Sequence, residues 1–84
     1  MRIRLFSTPD CPFCKKTREF LRNYEIEFED NNVLEDEKAR TEMIEISQQT
    51  AVPVIEITRS NSVEIITGFD EEKIRKLLNL EGKK

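Results

Sequence analysis

"PVIEITRSNSVEIIT", residues 53–67, is the stretch whose reading decides the fold. Two β-branched runs, PVIEIT and SVEIIT, flank the short polar loop RSN, and that pattern predicts an antiparallel hairpin. Upstream, "LEDEKARTEMIEISQQ" carries Ala39, Met43 and Ile46 on one stripe, with Asp36 and Arg40 at helical spacing. It predicts a helix over about residues 35–49. "EIEFED" before it alternates strictly, Ile26 and Phe28 on one face and Glu25, Glu27 and Glu29 on the other, as in a half-buried strand near a sheet edge. Further back, Cys14, Thr17, Leu21 and Tyr24 recur every three to four residues, with Lys15, Lys16, Arg18, Glu19 and Arg22 on the opposite face. The spacing predicts a helix over about residues 12–23. "RIRLFS" then "TPD" predicts a first strand over about residues 2–7 that ends in a turn. Downstream of the hairpin, "DEEKIRKLLNL" places Ile74, Leu77 and Leu78 on one stripe and Glu71/Arg75 and Glu72/Lys76 at i,i+4, a last helix before a frayed tail at 81–84.

The order is therefore β-α-β-α-β-β-α, without repeats, linkers or low-complexity segments. A right-handed crossover makes the first two strands parallel, and the hairpin adds two antiparallel ones. The expected class is α/β, a four-stranded mixed sheet with three flanking helices in a thioredoxin-like arrangement. Eighty-four residues suit one domain, 1–84, with one modest core.

Composition narrows the function classes. Hydrophobic and charged residues each make up 37%, and the net charge is −3 with both signs interspersed. A nucleic-acid footprint would cluster Lys and Arg on one face, so no nucleic-acid partner is expected. The "RIRLF" after Met1 is too short for a signal-peptide core, and no apolar run reaches the roughly 18 residues of a membrane span. A soluble, cytoplasmic chain with no membrane partner is expected, and no unclaimed apolar stripe asks for a dimer.

Both cysteines lie in "STPDCPFCKK", residues 7–16. Two are too few for the disulfide framework of a small secreted domain, and a close pair in a reducing compartment points to metal binding or catalysis. A structural zinc site wants four Cys or His ligands, whereas this chain has two Cys and no His, so no metal is expected. Cys11 falls where the chain enters the first helix, with Pro12 in a first-turn position whose missing N–H costs nothing. Unpaired amides and the helix dipole favour an anion there, Lys15 and Lys16 add to the effect, and Asp10 opposes it. Cys14 follows one turn later on the same side, at an α-carbon separation of about 5 Å that suits a disulfide. It belongs to the apolar stripe, so Cys11 is expected to be the exposed nucleophile and Cys14 the shielded resolver.

"CPFC" at a helix start, "AVPVI" opening a hairpin and "TGFDEEKI" opening the last helix together resemble the glutaredoxins, and the three motifs span nearly the whole chain. The resemblance implies reduction of protein disulfides or glutathione mixed disulfides by thiol–disulfide exchange. It implies that Pro12, Phe13, Lys15 and Pro53 shape the active site, that Pro53 is a cis-proline facing the cysteines, and that the Val52 backbone pairs with substrate. By residue chemistry alone, Pro53 also reads as an ordinary strand-start proline. Asp70 equally reads as an N-cap, Phe69 and Ile74 as a hydrophobic staple, and Gly68 as a positive-φ turn.

Glutaredoxins hold the amino end of glutathione on a Gly-Gly-x-Asp segment, which Gly68 and Asp70 match while Thr67 stands at the first glycine. Glutathione-dependent members usually carry a lysine three residues before the first cysteine and Thr-Val-Pro; this chain has Thr8 and Ala51-Val52-Pro53. Thr67-Gly68-Phe69 is also similar to the Ser-Gly-Phe of NrdH-type redoxins, which are recycled by thioredoxin reductase and supply ribonucleotide reductase. The resemblance thus leaves two electron donors, glutathione or thioredoxin reductase, with disulfide-containing proteins such as ribonucleotide reductase as partners. Thr8, Val52, Thr67, Gly68, Phe69 and Asp70 are the candidate substrate or glutathione contacts. No bound cofactor is expected, since there is no Gly-rich dinucleotide fingerprint. A different class of function is a dimeric iron–sulfur cluster carrier using Cys11 of each copy, which the proline after Cys11 disfavours within the resemblance.

Overall fold

The computed structural model describes residues 1–79. The expected tail at 81–84 lies outside the described residues, as does Leu80 before it. The elements are β1 (Arg2–Ser7), α1 (Pro12–Asn23), β2 (Glu29–Asn32), α2 (Glu37–Ser47), β3 (Val54–Thr58), β4 (Val63–Thr67) and α3 (Glu71–Leu77). They form one four-stranded sheet in the order β2-β1-β3-β4, with β1 parallel to β2 and antiparallel to β3, and β3 antiparallel to β4. This is the expected mixed sheet. The hairpin pairs Val54 with Thr67 through Thr58 with Val63, and the Arg59 amide donates to the Ser62 carbonyl at 2.8 Å, so the loop takes in Ser62 as well as RSN.

Alternation along the strands divides the core between the two sheet faces. Ile3, Leu5, Ile55, Ile57 and Ile66 meet Phe20 and Leu21 of α1 and Ile74 and Leu78 at the end of α3. On the other face Phe6 and Val54 pack with Val33 and with Ala39 and Met43 of α2. Full burial of an aliphatic or aromatic side chain contributes about 1.5–3 kcal/mol, and both faces of β1 and β3 are covered in this way. The central strands are thereby fixed, and so is the end of β1 from which the cysteine turn departs. The α2 face also holds Arg4, whose guanidinium bonds Glu42 and Glu56, each at 2.6 Å.

Several boundaries differ from the sequence expectation: β2 spans Glu29–Asn32 against a predicted 25–30, α2 is shorter at both ends, and α3 ends at Leu77 with Leu78 as its C-cap. The second strand starts at Glu29, because residues 24–26 still finish α1. The Glu25 amide donates to the Arg22 carbonyl and the Ile26 amide to Leu21, both at 2.9 Å, and Glu25 adopts φ 56°. That is a Schellman ending with glutamate where glycine is usual. Ile26 and Phe28 nevertheless pack on the core as their alternation implied. Helix α2 is shorter at both ends, since Asp36 caps it through the Ala39 amide at 3.2 Å and Gln48 turns left-handed at φ 59°. The Asp36 carboxylate is thus a cap and not the partner of Arg40. In α1 the buried stripe is Cys14, Thr17, Phe20 and Leu21, so Phe20 joins it while Tyr24 stays half-buried. The Glu71–Arg75 pair forms at 2.6 Å, whereas Glu72 and Lys76 form no ion pair among the described residues.

Candidate active site

The cysteine turn is built by the end of β1 and the start of α1. Cys11 is the N-cap residue of α1, in extended backbone at φ −85° and ψ 118°, with Pro12 at the first helical position. Its sulfur accepts the Cys14 amide at 3.1 Å, and its carbonyl accepts the Lys15 amide at 3.1 Å. A sulfur thus occupies the place that a serine or aspartate oxygen takes at other helix starts. Cys11 is half-buried and Cys14 has no exposed surface. Both are free thiols in this structure.

Burial pushes the Cys14 thiol up to about 11, helped by its hydrogen bond with Cys11, while the Thr8 backbone and the charge of Arg18 act the other way. Cys14 is therefore held as a neutral thiol behind Cys11.

The second wall comes from the loop before β3. The Val52–Pro53 peptide is cis, and the Val52 carbonyl faces the Cys11 thiol, which donates to it at 3.9 Å. Among the described residues the Val52 amide donates to no backbone carbonyl. Pro53 is buried, and its own carbonyl accepts the Gly68 amide at 2.8 Å. Gly68 takes φ 76°, and a Cβ there would meet nothing within 4 Å. One chain of contacts therefore runs from Cys11 through Val52 and Pro53 to Gly68.

Other candidates are divided between site and scaffold. Phe13 is 56% exposed beside the cysteines, with the Lys16 ammonium 5.5 Å from its ring centre; Pro12 and Lys15 are exposed, and Thr8 is half-buried. Thr67 is exposed at the end of β4, opposite Val54. Phe69 instead turns inward, meets the Phe20 ring edge-on at 5.9 Å and packs against the core cluster that contains Ile74, as the expected staple requires. Asp70 spends one carboxylate oxygen on the Lys73 amide at 3.2 Å, as the α3 N-cap.

The glutaredoxin family model matches residues 3–60, a span that takes in the cysteine pair and Pro53. The chain belongs to the glutaredoxin family. It is 47% identical over 76 residues to an uncharacterised glutaredoxin-like 8.6 kDa protein of the rubredoxin operon of Clostridium pasteurianum, covering 90% of this chain and 96% of that one. The thioredoxin-like protein BC3987, in a mutant form, superposes with a TM-score of 0.85 at 31% identity, covering 95% of this glutaredoxin-family chain and 97% of the other. The glutaredoxin-like protein NrdH-redoxin of Escherichia coli, described as having a thioredoxin-like activity profile, superposes with a TM-score of 0.75 at 27% identity, over 92% and 95% of the two chains.

One group at this glutaredoxin site was absent from the sequence reading. Arg18, expected on the solvent face of α1, folds inward with its side chain 17% exposed. Its Nε donates to Asp30 at 2.6 Å, and its Nη2 donates to the Ser7 hydroxyl at 2.8 Å and to the Thr8 carbonyl at 3.2 Å. The fully buried Ser7 donates to the other Asp30 oxygen at 2.7 Å. A partial signal did exist: Asp30 follows Ile26 and Phe28 at alternate positions, and its side chain, 35% exposed, is within reach of a cation from α1.

Proposed function

We propose that this chain is a dithiol–disulfide oxidoreductase in which Cys11 is the nucleophile and Cys14 the resolving thiol. One observation carries the reading. The accessible Cys11 sulfur sits at the α1 N-terminus accepting the Cys14 amide, while Cys14 lies buried one turn behind it. A thiolate at Cys11 is met by that amide and by the positive end of the helix, and glutaredoxin-family membership suggests the same chemistry.

In the first step the Cys11 thiolate attacks one sulfur of a partner disulfide, forming a mixed disulfide and releasing the other sulfur as a thiolate. Cys14 then loses its proton and attacks the Cys11 sulfur. The bond to the partner breaks, the Cys11–Cys14 disulfide forms, and two electrons have passed from this chain to the partner. Val52 supports substrate alignment, because its carbonyl faces the Cys11 thiol and its amide donates to no backbone carbonyl among the described residues, leaving backbone that an extended substrate can pair with. The couple belongs in the range of thioredoxins and glutaredoxins, about −270 to −200 mV.

For the electron donor we favour thioredoxin reductase over glutathione, with disulfide-containing proteins such as ribonucleotide reductase as acceptors in a reducing, cytoplasmic setting. Thr67 stands where glutathione-binding members have a glycine, and Thr8 where they have lysine. The Asp70 carboxylate is partly committed to capping α3. The test follows NADPH consumption with a disulfide substrate, once with thioredoxin reductase and once with glutathione plus glutathione reductase. Turnover with the first alone is expected; turnover with glutathione alone would overturn the choice of donor and leave the dithiol chemistry standing.

A further inference from the structure

Nothing in the exchange reaction as proposed uses Arg18, Asp30 or Ser7, yet they form a closed network at the back of the cysteine turn. Arg18 lies four residues after Cys14 in α1, hence one turn along the same helix face. Its fork spans three acceptors from two other segments, Asp30 of β2 and Ser7 and Thr8 at the end of β1. An arginine that makes such contacts at low exposure is fixed in place, since its planar fork loses little further freedom per bond. Thr8, whose carbonyl it holds, is also the residue whose backbone favours the ionised form of Cys14.

We propose, building on the dithiol reading above, that Arg18 is a positioning residue for the resolving step: it holds the Ser7–Thr8 strand end in place and sets a positive charge one helical turn from Cys14, assisting formation of the Cys14 thiolate. That thiolate is needed only in the second step. It attacks the Cys11 sulfur of the mixed disulfide, the partner's sulfur departs with the bonding pair, and the proton lost by Cys14 goes to solvent. The groups acting on the Cys14 charge are Cys11 and Arg18, and Arg18 is in turn faced by Asp30. The Arg18–Asp30 pair is therefore a partly neutralised cation, tunable from either end.

Reaction of the reduced protein with dithiobis(nitrobenzoate) separates the two steps, because attack by Cys11 and displacement by Cys14 each release one coloured thiolate. In Arg18→Ala the first phase should stay within about twofold, while the second slows. A tenfold smaller thiolate population translates into roughly three- to fourfold in rate, because the more basic thiolate is also the better nucleophile. The Cys14 Cβ chemical shift, titrated in a Cys11→Ser background, should have its midpoint raised by Arg18→Ala, restored by Arg18→Lys and lowered by Asp30→Asn. A folded Arg18→Ala protein with an unchanged second phase and midpoint overturns the proposal, as does equal slowing of both phases. If Arg18→Ala fails to fold, Asp30→Asn and Arg18→Lys decide on the same readouts, and an unmoved midpoint in Asp30→Asn counts against it. Failure of the underlying reading looks different: wild-type protein would give no second phase, or Cys11→Ser would keep the first.

Discussion

The Cys11 thiol donates to the Val52 carbonyl at 3.9 Å across a sequence separation of 41 residues. The cap of α1 and the residue before the cis-proline are therefore two sides of one site. On the proposed mechanism a disulfide attacked by Cys11 lies beside the Val52 backbone, and removal of either sulfur should arrest the reaction at a different stage.

If Cys11 attacks and Cys14 displaces, as proposed, Cys14→Ser should accumulate a mixed disulfide between Cys11 and the substrate. Intact-protein mass spectrometry should show one adduct per chain, reversible by dithiothreitol. Cys11→Ser should give no adduct, since the remaining thiol is buried.

The raised Cys14 thiol makes the reduced protein sensitive to alkali. A group whose folded value, about 11, lies above its ordinary 9.0 contributes stability that is complete below about pH 9 and is lost as pH rises through 11. The full loss is on the order of 3 kcal/mol. Urea unfolding of reduced wild type and of Cys14→Ala between pH 8 and about 11 isolates it; parallel stability curves for the two proteins would contradict the burial argument.

Arg4 lies 14% exposed between Glu42 and Glu56, whose side chains are 45% and 12% exposed. Arg4→Ala leaves Glu56 a buried carboxylate without its cation, and should destabilise by about 3 kcal/mol. Glu42→Gln removes only the outer, solvated partner and should cost under about 1 kcal/mol. The Arg4 hydrogen bond holds the Glu42 carboxyl below its ordinary 4.5. This small contribution is present above that pH and disappears as pH falls through the lower folded value. Denaturation midpoints of the two variants at pH 7 and pH 4 check both statements.

Gly68→Ala meets open space but a left-handed backbone, at φ 76°. The expected cost is about 1 kcal/mol of backbone strain. Asp70→Ala, which strips the α3 cap, should cost about the same. A double variant measures their coupling: the Gly68 amide is held by Pro53 and the Asp70 side chain by Lys73, but the two positions share one turn, so the losses should depart from a simple sum by about 0.5 kcal/mol or more.

The sequence by itself determined the order of elements, the mixed sheet and the place of Cys11 at a helix start, because these depend on local periodicity and turn chemistry. Alternating β-branched residues around RSN have few alternatives to a hairpin, and Pro12 suits the first helical position and no interior one. The pattern of Phe69 and Ile74 was legible for the same reason, one residue before and four residues after the N-cap Asp70. Tertiary structure alone decided that Val52 faces Cys11, that Pro53 receives the Gly68 amide, and that Arg18 turns inward. Each joins segments far apart in the chain, whose approach is fixed by packing on both faces of β1 and β3. Arg18 lies one turn from Cys14 at the edge of the buried α1 stripe, so helix periodicity leaves the direction of its side chain open and the neighbouring strand decides it. A carboxylate arriving from β2 draws it inward, since a charge-assisted fork between two strand ends and a helix is worth more than exposure of the same side chain.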